Sequence, residues 1–168
     1  MATLRCTAKY RKALALAEKL PEPSTAASAH PFGEWYANTL TIQRQPFLHF
    51  MNGKVLLSVI VSMRERRTGE RRMVEPLERL LLSFGLPAAA TDSFLSHVAT
   101  FEHSRAHDRS ILASMRDQAS VAKYAVLGRR VSSPWEIMVD LAVMPCGALG
   151  YSNPRSETMR LVKAVGAP

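Results

Sequence analysis

One stretch of the chain carries polar side chains at helical spacing beside an apolar stripe. Within residues 101–126, a helix that begins at about Asp108 aligns Ser110, Ser114 and Asp117 on the side opposite the apolar positions. An exposed helix face usually carries Lys and Glu, whereas small hydroxyls and a short acid suit a close contact. The spacing therefore predicts that these three side chains are buried or face a pocket. We also expect Arg109 to hydrogen-bond to an acid or a carbonyl.

A predicted strand supplies further polar and aromatic side chains for such a site. If the helix packs on a sheet, residues 109–117 approach residues 35–38. The candidate ligand pocket then consists of Trp35, Tyr36, Asn38, Arg109, Ser110, Ser114, Asp117 and Cys146. An internal hydrogen-bond network is an equally good interpretation, because buried polar groups must be satisfied. The substitution Asp117→Ala separates the two, since a network predicts lost stability and a pocket predicts lost ligand binding.

The one run of charged residues, RERRTGERR at positions 64–72, has five arginines against two glutamates. The arginines are Arg64, Arg66, Arg67, Arg71 and Arg72. Arginine offers a planar fork to phosphate oxygens, so the run is a candidate nucleic-acid contact. A solvated connector between a strand and a helix is the alternative. If the run contacts phosphates, alanine at positions 66, 67, 71 and 72 should weaken nucleic-acid binding and flatten its salt dependence.

The sequence gives little support for a metal site, a nucleophilic enzyme or a nucleotide-binding motif. His103 and His107 are spaced as a metal pair on a helix, but no third ligand accompanies them. Cys146 is the better of two candidate thiol nucleophiles, although a small buried cysteine is the commoner role. The chain has no GxGxxG, no GxxxxGK, no HExxH and no nucleophile-elbow sequence. We therefore expect no metal and no cofactor, and the sequence leaves open whether the protein is an enzyme.

Composition sets the broad class. The 168 residues, 47% hydrophobic and 21% charged, suit one globular domain spanning 1–168. No apolar run approaches the roughly 20 residues that span a bilayer, and the first residues lack the apolar segment of a secretory signal. With only two cysteines, a reducing cytoplasm is the expected location. The net charge of +8 favours polyanionic partners.

The strands and helices that must position the candidate site residues are predicted from the spacing of hydrophobic residues along the chain. Strands are expected at 2–7, 34–42, 47–51 and 55–63, with an antiparallel hairpin turning at Asn52-Gly53. Helices are expected at 8–20, from Pro76 to Gly85, at 87–100, from Asp108 to Gly128, at 134–143 and after Asn153-Pro154. Residues 21–33 are expected to form a surface loop, and 64–72 and 101–107 are expected to be connectors. The fold class is α+β, a mostly antiparallel sheet of about four strands, a β-meander plus the N-terminal strand, with helices mainly on one face.

Three sequence stretches resemble an uncharacterised bacterial family, a domain of unknown function of about this length. They are the opening MATLRCT, GEWYANTL at 33–40 and RSILASMRD at 109–117, with a weaker match at the Pro-Cys-Gly of 145–147. Ala113 and Arg116 replace a glycine and an asparagine of the family's helix motif, and His107 stands where asparagine is usual. The resemblance covers the whole domain and implies no activity.

Three function classes follow. The first is a small basic protein that binds nucleic acid or another polyanion through the arginine run and the first helix; its binding would weaken steeply with salt. The second is a small-ligand or enzymatic pocket between 35–38 and 109–117, detectable by ligand-induced thermal stabilisation. The third is an interaction protein that forms a homodimer, which its mass in solution would reveal.

Overall fold

A single mixed sheet organises the structure, a computed structural model that describes residues 2–16, 20, 31–63 and 69–166. Its five strands are β1 (Ala2–Cys6), β2 (Trp35–Ile42), β3 (Gln45–Asn52), β4 (Ser58–Ser62) and β5 (Phe101–Arg105), in the spatial order β4-β3-β2-β1-β5. β2, β3 and β4 pair antiparallel, whereas β1 pairs parallel with both β2 and β5.

The predicted α+β class is confirmed, and two details of the sheet are corrected. The sheet is mixed rather than mostly antiparallel, because the chain passes through a helix between β1 and β2, as a parallel crossover requires. The segment predicted as a connector at 101–107 contains the fifth strand. β5 lies at the sheet edge and carries charged and partly exposed side chains, so apolar alternation gives no sign of it.

The predicted hairpin of β3 and β4 is confirmed, with a longer turn than a two-residue Asn-Gly loop. The Asn52 N–H donates to Leu57 O at 2.9 Å, so the turn contains the residues between them. The Asn52 side chain shapes it, since its Oδ1 accepts from Lys54 N at 3.0 Å and Val55 N at 3.1 Å. β4 consequently begins at Ser58 rather than at Val55.

Six helices complete the described part of the chain. They are α1 (Ala8–Leu14), α2 (Val74–Ser83), α3 (Ala88–Ser96), α4 (Arg109–Leu127), α5 (Pro134–Val143) and α6 (Pro154–Gly166). Side chains cap two of these helices: Thr7 accepts from the N–H of Tyr10, and Ser133 forms a capping box with Glu136. α1 is shorter than predicted, because Ala15 takes a left-handed conformation with φ of 51° and ends the helix.

Helices lie on both faces of the sheet, where most were expected on one. On one face, Tyr10 of α1 makes an edge contact with Phe50 and Phe94 of α3 makes one with Trp35. α4 covers the opposite face, where Gln118 hydrogen-bonds to Ser58. Nearly all of β3 and β4 is buried, and strands of this kind need cover on both faces. None of the described helices combines the length and apolar character needed to span a bilayer.

Candidate functional site

A groove lies between α4 and the part of β2 that extends past the end of β1. β1 stops at Cys6, opposite Ala37, and the chain then turns into α1 as Thr7 N donates to Ala37 O at 3.0 Å. β2 continues to Ile42, so its second half has no strand beside it on that side within the described chain. The space has a volume of about 620 Å³. We call it the β2–α4 groove and define it by Lys9, Asn38, His49, Arg116 and Lys123.

Every formally charged side chain among the described residues that line the β2–α4 groove is a cation. Lys9 comes from the first turn of α1, and Arg116 and Lys123 come from α4. A separation of seven residues is close to two helical turns, so Arg116 and Lys123 lie on the same side of α4. All three are exposed. Because no carboxylate occurs among the described lining residues, the positive potential of these three side chains is available to a bound anion.

Asn38 adds hydrogen-bond donors whose orientation is fixed. Its Oδ1 accepts from Thr39 N at 2.9 Å and from Thr7 Oγ1 at 2.9 Å. A backbone N–H can only donate, so the oxygen must be the atom that faces Thr39. The Asn38 carbonyl is thereby occupied, and its Nδ2 has no hydrogen-bond partner among the described residues. Asn38 therefore offers the groove a donor rather than an acceptor.

His49 lies beneath the groove in a buried chain of hydrogen bonds. Gln118 Nε2 donates to Leu56 O at 3.0 Å, which turns Gln118 Oε1 toward Ser58. Ser58 Oγ donates to that oxygen, so the 2.7 Å contact between His49 Nε2 and Ser58 Oγ requires the imidazole to donate. Burial lowers the pKa of His49 to about 4. His49 is thus a neutral imidazole with its proton on Nε2, and the polar chain of His49, Ser58 and Gln118 attaches α4 to the sheet.

A second groove lies on the other side of α4, beside the loop that follows α5. We call it the α4–Cys146 groove; Ser110, Ser114, Asp117 and Cys146 line it, and its volume is about 320 Å³. The structure places these four predicted pocket residues together, and Ser114 Oγ donates to Ser110 O at 3.1 Å. Burial raises the pKa of Cys146, which keeps it a thiol at neutral pH and a poor nucleophile.

The predicted pairing of Arg109 is wrong. Arg109 and Asp117 are both exposed, and no hydrogen bond or ion pair of Arg109 occurs within the described residues. Eight residues of helix rise by about 12 Å and turn by more than two full turns, which separates the two side chains. The hydrogen-bond network expected around Arg109 instead runs through Gln118, the residue next to Asp117.

The three strand residues predicted for the pocket lie in different parts of the structure. Trp35 is 1% exposed and packs in the core on the face away from α4. Tyr36 lies on the α4 face and lines a small groove with Asp108, and burial raises the pKa of its phenol to about 12. Asn38 lines the β2–α4 groove rather than the α4–Cys146 groove. The eight predicted pocket residues therefore do not form one site.

Only part of the arginine run lies in the described chain, because Arg64, Arg66 and Arg67 fall outside it. Arg71 is exposed, and Arg72 Nη1 donates to Ser62 O at 3.0 Å. Both line a third groove of about 400 Å³ between α2 and α5, which we call the α2–α5 groove. On its wall the Arg79 guanidinium lies 3.9 Å from the centroid of the Trp135 ring.

The sequence patterns did not predict the buried ion pair of Arg5 and Glu34. Arg5 is 3% exposed, and its guanidinium binds both carboxylate oxygens of Glu34, with Nε 2.9 Å from Oε2. Its Nη1 also donates to Ser104 Oγ at 2.9 Å. Alternation in β1 places Arg5 on the face opposite Leu4, where solvent would be the usual surroundings. The burial results from neighbours that are distant in sequence.

Two residues of the sequence could have predicted the polar chain of His49, Ser58 and Gln118 beneath α4. Gln118 occupies a position three residues after Met115 and four before Ala122, both buried on the apolar side of α4. A polar side chain in an apolar stripe requires a hydrogen-bond partner. Ser58 within the apolar strand VLLSVIVSM gives the same signal from the sheet. No group of three or more His, Cys, Asp or Glu side chains in the described residues is placed to hold a metal ion.

Comparison with known proteins adds a family and no activity. No curated protein and no solved structure matches the chain. One family model, described as Domain of unknown function (DUF6933), matches residues 3–157, which include the residues of both grooves beside α4. The match spans most of the chain, and the protein therefore belongs to the DUF6933 family.

Proposed function

We propose that the protein binds a small anionic ligand, with a phosphate as its anionic group, in the β2–α4 groove. The observation that carries the proposal is the charge of the lining: Lys9, Arg116 and Lys123 with no acid among the described residues there. Phosphate oxygens only accept hydrogen bonds, and arginine can bind two of them at once. The fixed donor of Asn38 matches the same requirement.

The size and walls of the groove suit a ligand larger than a bare ion. Its volume of about 620 Å³ is within the usual range for small-molecule sites. The partly exposed Leu112 supplies apolar surface for the uncharged part of such a ligand, and the buried Leu40 and Met115 also line the groove. A general base would need a pKa near neutrality, whereas His49 titrates at about 4 and donates its Nε2 hydrogen to Ser58. These features support binding rather than catalysis as the function.

The experiment is a nuclear magnetic resonance titration with two matched probes. Adenosine 5′-monophosphate carries a phosphate, and adenosine is the same molecule without it. We expect the nucleotide to shift the backbone amide signals of Lys9, Thr39 and Lys123 in a saturable way, and adenosine to leave them nearly unchanged. Equal shifts from both probes, or nucleotide shifts confined to the α4–Cys146 groove, would show that phosphate is not recognised in the β2–α4 groove.

A further inference from the structure

Two further grooves lie beyond the β2–α4 groove around the sheet. The next one, of about 510 Å³, begins at Ile42 of β2 and Val126 of α4, directly beyond Thr41 and Lys123 of the first. We call it the sheet-end groove. It shares Ser62, Arg72 and Pro134 with the α2–α5 groove. The three grooves follow one another from the α4 face of the sheet, past the β2–β3 turn, to the outer edge of β4, and we call this series of grooves the path.

This path is depleted in acids along its whole length. Six cations line its described part: Lys9, Arg116, Lys123, Arg71, Arg72 and Arg79. Glu75 is the single acid among the described residues that line it. The chain as a whole has 14 acids to 22 lysines and arginines, so the path has a higher ratio of cations to acids than the chain. Cations in the β2–α4 groove and in the α2–α5 groove, with Arg72 also lining the sheet-end groove between them, suit a ligand with several phosphates in a row.

We propose that the path binds a single strand of nucleic acid, with one of its phosphates in the β2–α4 groove; this inference rests on the proposed function of that groove. The path turns from a face of the sheet to its edge. A duplex is stiff over about 150 base pairs and cannot follow such a bend without a deformation cost, whereas a single strand can.

The walls of the path provide contacts for bases as well as for phosphates. The partly exposed Trp135 lines the α2–α5 groove, and the exposed Arg79 is stacked over its ring. Aromatic faces and arginine planes are the surfaces on which unpaired bases stack, without preference for sequence. Inorganic polyphosphate carries the same charges and has no bases to place there, so these side chains favour a nucleic acid.

The test measures binding of a fluorescent thymidine strand of about 12 nucleotides, a length within the usual site sizes of single-strand binders. The double variant R71A/R79A removes two cations from the far end of the path. Its matched control, R160A/K163A, removes two exposed cations from α6, outside the path. We expect R71A/R79A to weaken strand binding and to flatten its logarithmic salt slope by about 1.4, since each single-strand phosphate contact contributes about 0.7. The control should match the wild type.

The same variants separate this inference from the proposed function. Adenosine 5′-monophosphate should bind R71A/R79A as it binds the wild type, because both arginines are distant from the β2–α4 groove. If the nucleotide binds there but the strand binds R71A/R79A and its control equally well, the path is overturned and the groove stands. If Lys123→Glu changes neither binding, the groove itself is overturned. Polyphosphate that displaces the strand at equal or lower phosphate concentration would overturn the assignment to nucleic acid.

Discussion

His49 is held neutral beneath α4 by its surroundings rather than by the pH of the solution. Its ring is 1% exposed, and its Nε2 hydrogen is donated to Ser58. Ser58 and Gln118 are also buried, so each member of the chain depends on its neighbour for a partner. Protonation of the ring would place a buried charge where no acid is available among these partners.

The first prediction follows from the lowered pKa of His49, about 4 against an ordinary value of 6.5. Between these values the unfolded chain binds a proton that the folded protein does not. The stability associated with neutral His49 is therefore complete above pH 6.5 and falls as the pH drops toward 4, by about 3 kcal/mol in total. Urea unfolding at a series of pH values measures it. The variant His49→Gln should lack this component, and an identical pH dependence in both proteins would contradict the assignment.

The second prediction compares two neighbouring residues of α4. Gln118→Ala removes the partner of both Ser58 and the Leu56 carbonyl in a buried site, so the free energy of unfolding should fall by roughly 1–3 kcal/mol. Asp117→Ala removes an exposed side chain and should change it by less than about 0.5 kcal/mol. Denaturant unfolding of the two variants gives both values. If Asp117→Ala lowered the free energy of unfolding more than Gln118→Ala, the result would favour the hydrogen-bond network through Asp117 that was expected from the sequence.

Helical spacing at Ser110, Ser114 and Asp117 was enough to indicate that they share one side of α4. It was not enough to assign partners, because a partner such as Ser58 is 60 residues away along the chain. Arg109 was expected to hydrogen-bond to an acid or a carbonyl. Asp117, an acid of the same helix, is kept apart from Arg109 by the distance along the helix axis.

At the scale of elements, the ion pair of Arg5 and Glu34 joins the parallel part of the sheet. Arg5 belongs to β1, Glu34 immediately precedes β2, and Ser104 belongs to β5. One guanidinium therefore connects three adjacent strands. The hydrogen bond and charge of Glu34 raise the pKa of Arg5, which keeps the buried guanidinium charged.

The third prediction is that Glu34→Gln lowers the free energy of unfolding by roughly 3 kcal/mol, because it leaves the buried charge of Arg5 without its counterion. This is the lower end of the range for a broken buried pair, since Glu34 keeps some contact with water. Glu102→Gln is the control, an exposed acid on β5 that should cost less than about 0.5 kcal/mol. Thermal or denaturant unfolding that ranks the two equally would show that the pair contributes little.

Most elements were predictable from local patterns, and their arrangement was not. The 3.6-residue period indicated α4 and α5 within a residue or two, and apolar β-branched runs indicated β2, β3 and β4. β5 was missed because its side chains are mixed and its stability comes from backbone pairing with β1, 99 residues earlier. The parallel pairing of β1 depends on where α1 returns the chain, which no local pattern specifies.

At the scale of the whole molecule, the basic composition is distributed unevenly. The cations of the path come from α1, α2, α4 and the segment before α2, whereas Asp117, Asp108 and Glu34 line the grooves elsewhere around α4. The net charge of +8 predicted a preference for anions without a location. The sequence directed attention to RERRTGERR and to the first helix, and the structure adds Arg116 and Lys123 beside Lys9 of that helix.

The measurement that tests the central claim most directly is calorimetric titration of adenosine 5′-monophosphate into two charge-reversal variants. Lys123→Glu places an acid in the β2–α4 groove, and Lys163→Glu makes the same change at an exposed position of α6. Both alter the net charge equally, so long-range attraction changes alike. We predict that Lys123→Glu weakens binding about tenfold or more, the effect of losing one charge-assisted hydrogen bond, and that Lys163→Glu leaves it near the wild-type value. Equal affinities in the two variants would contradict an anion site in this groove.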